Sequence, residues 1–386
     1  DDVEGALEAY EEARSLRVRT GTLETSEGAA LLNNIGLAKR QMGDVDGALQ
    51  GLLEARRIRR ETGTLETADG AFLLSSIGAT QNERRAIGNA LEAYMEAVNI
   101  REHTNTLESP DGAMLLNNLG VVLHGLGDLH RALQAYERAF AVHQRLGTVM
   151  TLESALLQNN IASIKDEAGD TAGALGAYER SLALRQATDT ASTPGCAALL
   201  GCIGTAKLLL GDSDGAEDAY SDALQLRRLT QTVNTPGGSA LLVNMGVARS
   251  SRGDVNGALS LFEEAAEVHR RMAAEETQDN AHLHGNIGVA RQKLGDTTGA
   301  LQAYAEARRL HELTGTLDTV DGRRLLANIR ISQRRQAAGG LEAFKAAVPL
   351  EEKEIRQALV QEAPVVRSAV LLAVGKVTID TSVVSV

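Results

Sequence analysis

Tryptophan is absent from the 386 residues, and aromatic side chains make up only 3% of them. A core without large rings must be filled by Ala, Leu, Ile and Val at close range, which suits helix packed on helix. Proline occurs only five times, and abundant Ala, Leu, Glu and Arg favour helices as well. The two cysteines, Cys196 and Cys202, lie on one predicted helix with Cβ atoms too distant for a bridge. Two lone thiols point to a reducing intracellular compartment, cytoplasm or organelle interior. No run reaches the roughly 18–20 apolar residues of a transmembrane segment. The net charge of −12 withholds the basic footprint that nucleic-acid binding needs, keeps the chain soluble, and leaves basic partners open. Chemical signatures are missing too. His282 and His284 point to different sides of a helix, and no His-Cys cluster has zinc-like spacing. No Gly-rich loop has a phosphate-binding pattern, and nothing marks a nucleophile. The sequence predicts no enzyme, no metal and no cofactor.

What is present is a period. Gly28-Ala-Ala-Leu-Leu-Asn-Asn-Ile-Gly36 returns as Gly70-Ala-Phe-Leu-Leu-Ser-Ser-Ile-Gly78 and as Gly112-Ala-Met-Leu-Leu-Asn-Asn-Leu-Gly120, 42 residues apart each time, then five more times in altered form. So strict a repeat indicates a solenoid, which grows by stacking units instead of enlarging one core. Each unit reads as two helices. Helix A follows a hydroxyl that holds its place in every copy: Thr25, Thr67, Ser109, Thr151, Thr193, Thr235, Thr277 and Thr319. These are N-cap candidates, and proline suits the next position at Pro110, Pro194 and Pro236. Helix B opens on cap-type Asp44, Asp128, Asp170, Asp212, Asp254 and Asp296. In the second full unit Glu83-Arg84-Arg85-Ala86 replaces the Gly-Asp turn, which predicts a distorted or mobile corner there.

Residues 1–20 read as the second helix of a truncated first repeat, since Asp1 to Leu7 matches Gly43 to Leu49. A first helix, and any targeting region, is expected upstream. Residues 21–319 carry seven regular repeats, and 320–347 a degenerate last one, in which Arg323, Arg324, Arg330, Arg334 and Arg335 enter helix A. Residues 348–363 read as a capping helix and 364–386 as a Val-rich arm, packed back on the repeats or docked on a partner.

Leu116, Leu119, Gly120 and Leu123, followed by Ala132, Tyr136 and Ala139, resemble the tetratricopeptide (TPR) pattern, in which a Leu-Gly pair marks helix A and Ala, an aromatic and Ala mark helix B. The 42-residue unit, with its Asn-Asn-Leu, is similar to the variant found in kinesin light chains, although no other part of such a protein is visible. The resemblance covers residues 1 to about 347. It implies an all-α, right-handed α-α superhelix of about eight repeats, whose helices A line the concave face.

Three rows of polar residues then stand out. The first reads Asn34, Ser76, Asn118, Asn160, Cys202, Asn244, Asn286 and Asn328, and the row before it begins Asn33, Ser75, Asn117, Asn159 and then turns to Gly201, Val243, Gly285 and Ala327. An amide both donates and accepts, so a ladder of them can hold the backbone of an extended peptide. Such ladders grip peptide ligands in related TPR proteins. Bonds between neighbouring helices that fix the stacking are the other reading, and both stand open. The loss of amides after Asn159 makes the N-terminal half the wetter one. A second row, Lys39, Lys165, Lys207, Arg249 and Arg291, is either a stripe for an acidic partner segment or a solvated face whose long stems cover apolar surface. The third, Arg17, Arg59, Arg101, His143, Arg185, Arg227, His269 and His311, lies near the end of helix B. There a cation complements the dipole and pairs with an acid of the next repeat. Together these features predict a scaffold or adaptor that binds a peptide or helix of a protein partner. The alternative is a structural subunit held in a large complex by its convex face, loops and C-terminal arm.

Overall fold

The computed structural model describes residues 2–337, so the regions expected to hold a capping helix and a Val-rich arm lie outside the described residues. Among those described there are sixteen α-helices and no strand. The first, α1 (Val3–Thr20), is followed by seven A–B pairs. These are α2 (Ser26–Gln41) with α3 (Val45–Glu61), α4 (Ala68–Glu83) with α5 (Ile87–His103), α6 (Pro110–Gly125) with α7 (Leu129–Leu146), and α8 (Leu152–Glu167) with α9 (Thr171–Ala187). Then come α10 (Pro194–Leu209) with α11 (Ser213–Leu229), α12 (Pro236–Ser251) with α13 (Val255–Arg271), and α14 (Gln278–Lys293) with α15 (Thr297–Leu313). The helix A of the last repeat is α16 (Val320–Ala337). The described residues fall into two compact units, 2–188 and 189–337.

The helices begin where the sequence places their caps. The Gly28, Gly70 and Gly112 amides donate to the hydroxyls of Thr25, Thr67 and Ser109, each at 3.2 Å. In helix B the Gly47 and Gly173 amides donate to Asp44 and Asp170 at 2.9 Å. Each bond satisfies one of the orphan donors of a first turn. Gly28 has a second task that the repeat pattern does not explain. A Cβ there would lie 1.9 Å from the Leu23 carbonyl oxygen, so at this position the turn passes closer to helix A than a side chain would allow.

Within a pair, Gly120 sets the distance. A Cβ on it would stand 2.6 Å from the ring of Tyr136, which is fully buried beside Ala132 and Ala139. The same contact recurs between Gly78 and Tyr94, and between Gly246 and Phe262. In the first full repeat Gly36 faces Leu52 instead. Between repeats, A helices approach each other, α2 with α4 and α4 with α6 in the first unit and α10 with α12 and α14 with α16 in the second, whereas no two B helices come as close. Each stack therefore closes on its A side.

The Glu83–Ala86 corner is not distorted, contrary to the expectation from its altered turn. Its backbone bonds, Arg85 N–H to Asn82 at 2.9 Å and Ala86 N–H to Gln81 at 2.9 Å, repeat those of Gly43 to Arg40 and Asp44 to Lys39. The substitutions change what holds the turn, not its path. Arg85 occupies the left-handed region (φ 59°) that Gly43 occupies elsewhere, and Ala86 provides no side-chain cap for α5.

Candidate functional site

Burial leaves one side of α6 and of α8 partly open. In α6 the residues Leu115, Leu116, Leu119, Gly120, Val122 and Leu123 are buried, while Met114, Asn117, Val121 and His124 are half-exposed. Spacings of three and four place these last residues on one side of the helix. The equivalent face of α8 shows Leu156, Asn159 and Ser163, and that of α4 shows Phe72, all half-buried. The first unit thus presents an apolar row, Phe72, Met114 and Leu156, with Leu37 and Val121 about two turns further along. Along the sequence this row looks like the rest of the leucine-rich core. Its signal was large apolar residues beside, but never on, the buried leucine positions.

Two of the asparagines meet at the seam between α6 and α8. Asn160 Nδ2 donates to Asn117 Oδ1 at 3.2 Å, tying α8 to α6. These residues are 43 apart, one repeat plus one. The same offset joins His124 Nε2 to Glu167 at 2.7 Å and, in the second unit, Lys293 to the Ser250 hydroxyl at 3.3 Å. In these three pairs a residue meets the copy displaced by one position and not its own. The consequence for the ladder is uneven. Asn118 and Ser76 are buried, and Ser76 turns its hydroxyl back onto the Phe72 carbonyl at 3.1 Å. Asn33 is buried, with an Oδ1 that has no hydrogen-bond partner among the described residues. Asn34 is exposed, and Asn117, Asn159 and Asn160 are half-buried. In the second unit Asn244 is buried, and Asn286 and Asn328 are half-buried. Asn34 in α2 is the most open of these amides, and Asn33 and Ser75, the first members of the other row, are covered.

The basic row of helix A does not form an open stripe. Lys39 binds Glu11 at 2.9 Å and lowers that carboxyl below the usual carboxylate range, Arg249 binds Glu217 at 2.7 Å, and Arg291 binds Glu263 at 3.0 Å. All three carboxylates belong to the preceding helix B. The other members, Lys165 and Lys207, are half-buried.

From Arg59 onward the row at the end of helix B is buried, and it holds the inter-repeat turn. Arg101, 3% exposed, donates to the Thr106 carbonyl at 3.1 Å and the Ser109 hydroxyl at 3.3 Å, and reaches Asp111 at 3.4 Å. Arg59 repeats this with Thr64 and Asp69. Where histidine stands instead, its Nδ1 takes over the contact to the turn: His143 with the Thr148 hydroxyl at 3.0 Å, and His311 with that of Thr316 at 2.7 Å.

Tetratricopeptide repeat models match residues 111–187, and residues 29–62 and 240–276. Among solved structures, BtubC (BKLC) from P. vanneervenii aligns at 22% identity over 60% of this chain and 91% of its own, with a TM-score of 0.51. The apo form of RapI aligns at 14% identity over 71% and 93%, with a TM-score of 0.50. A Podosopora anserina protein described as a kinesin light chain with nearly identical TPR-like repeats aligns at 16% identity over 53% and 98%, with a TM-score of 0.47. No curated protein matches the sequence. At such identities the structural likeness is one of fold. With the repeat models and the seven helix-turn-helix pairs behind it, the chain is a tetratricopeptide-repeat protein.

Proposed function

We propose that the chain is a non-catalytic scaffold that binds a segment of a protein partner on the A face of its first unit. TPR repeats typically mediate protein–protein interactions, and no described helix is long and apolar enough to cross a membrane. The observation that carries the reading is the pairing of two surfaces on α4, α6 and α8: the half-exposed row Phe72, Met114 and Leu156, and the amides of Asn117, Asn159 and Asn160 beside it. A bound segment sets its apolar side chains against the row, which repeats once per unit, and its backbone polar groups against the amides. Area supplies affinity and the amides supply orientation. Lys39, Arg249 and Arg291 of the basic row have no part in this, being engaged by carboxylates.

The test is a screen of displayed peptides against the full chain, followed by affinity measurement on Met114→Asp and Leu156→Asp. Leu53→Asp, on the exposed surface of α3, serves as control. The A-face variants should bind at least about tenfold more weakly, the cost of losing one buried side chain. Folded A-face variants that bind as well as the control remove this face from the account. Asn160→Ala then separates the amides from the apolar row.

A further inference from the structure

We propose that the end of the second unit is an acid-sensitive joint, in which His282, His311 and Asp321 hold α14, α15 and α16 together while both imidazoles are neutral and loosen α16 when both are protonated. Three neighbouring helices each contribute one group. His282 on α14 and His311 on α15 have ring centres 5.4 Å apart, inclined at 55°. His282 Nε2 lies 3.6 Å from the Asp321 carboxylate in the first turn of α16, too far for a hydrogen bond but within ion-pair reach.

Other repeats show what is unusual here. In two of them the end of helix B is tied to the first-turn acid of the next helix A by a permanently charged arginine, Arg59 to Asp69 and Arg101 to Asp111, and two others carry His143 and His269 in that place. In this repeat the arginine is His311, so the tie can lose or gain its charge near neutral pH. The position of His282 is filled elsewhere by Ala30, Phe72, Met114, Leu156, Ala198 and Ala240. Two titratable rings thus replace one fixed cation and one apolar side chain.

A proton on His282 meets the Asp321 carboxylate, but against the larger cost of burial. A second has no carboxylate to itself. His311 is 2% exposed, and Asp321 is shared with His282 and with Arg324 at 3.8 Å. Around His282, Asp321 and Asp279 draw a proton on and Arg324 repels it; around His311, Asp321 attracts and His282 repels. His284, on the same helix, faces Glu306 and Arg309 of α15, His269 of α13 and Arg291. Burial outweighs these attractions and holds all three imidazoles below their ordinary range. The opened form, with ordinary histidines, then binds protons more readily. The joint is at full strength above about pH 6.5 and weakens as pH falls below it. At about pH 5.5 each histidine kept neutral shifts the opening equilibrium by up to about tenfold, and the two together by up to about a hundredfold.

Hydrogen exchange of the full chain at about pH 7.5 and about pH 5.5, corrected for intrinsic exchange rates, reads this directly. Protection in α16 should fall by ten- to a hundredfold on acidification, while α2–α5, whose one histidine, His103, is exposed, should hold within about twofold. The variant H282L/H311R installs residue types found in other repeats and should remove the difference. H282Q, which keeps the ring's size and polarity more closely, should reduce it by about tenfold. Unchanged wild-type protection in α16, or an undiminished acid loss in folded H282Q, overturns the proposal.

Discussion

Histidine should replace Arg101 better than lysine does. Arg101 is 3% exposed and spans the α5–α6 junction with bonds to the Thr106 carbonyl and the Ser109 hydroxyl, at 3.1 and 3.3 Å. Hydrogen bonds from a charged group contribute about 1.5 kcal/mol each at the lower end of their range. The contact to Asp111 adds less than about 1 kcal/mol, because that carboxylate is 58% exposed and screened. Arg101→Met should therefore cost about 3 kcal/mol. Arg101→His should cost about 1 kcal/mol, since His143 shows an imidazole at the same position reaching the hydroxyl of the equivalent Thr148 at 3.0 Å. Arg101→Lys keeps the charge but loses the fork and buries a strongly hydrated ammonium, and should cost about 2–3 kcal/mol. A chain of stacked repeats need not unfold in one step, so the measurement is amide protection between residues 101 and 113 near neutral pH. Lysine equal to or better than histidine would refute the geometric account and restore the simpler one, a cation answering the helix dipole.

Gly120→Val should destabilise the chain by about 2–4 kcal/mol in thermal unfolding, because its branched side chain meets a buried ring that a single Cβ already approaches to 2.6 Å. Gly120→Ala should cost much less, since Ala162 occupies the equivalent position against a buried Tyr178. Ala273→Gly should stabilise by about 0.5–1 kcal/mol, as Ala273 sits at φ 51° in a turn where Gly63 and Gly315 sit at 67°; Gly63→Ala should do the reverse. Burial holds the His143 imidazole below its usual range. Its folded form therefore resists protonation, its contribution is complete above about pH 6.5, and stability falls as pH drops below that. His143→Gln should flatten this part of a stability–pH profile, and a profile unchanged by the substitution would count against it.

Periodicity was enough to decide the fold, because it constrains every level at once. Thr25, Asp44 and their copies start the helices, Gly120 and Tyr136 fix how a pair packs, and a unit that cannot bury its own apolar face must stack on the next. None of this needs distant contacts, so it can be read along the chain. Relations across the stack were another matter. Aligning copies at 42 residues puts Asn118 beside Asn160, whereas the stagger of adjacent A helices bonds Asn160 to Asn117 and buries Asn118. The sequence marked Lys39, Arg249 and Arg291 as a row, but only packing set a carboxylate of the preceding helix against each. The Glu83–Ala86 turn shows the limit from the other side. Local chemistry argued for distortion, and the helices on either side held the path, placing Arg85 in a left-handed conformation that glycine adopts more readily. The sequence by itself determined the helices and their order in the stack, since each depends on neighbours in the chain. Only the tertiary structure decided which side chains face solvent on helix A, because that depends on how each helix packs against the repeats on either side of it.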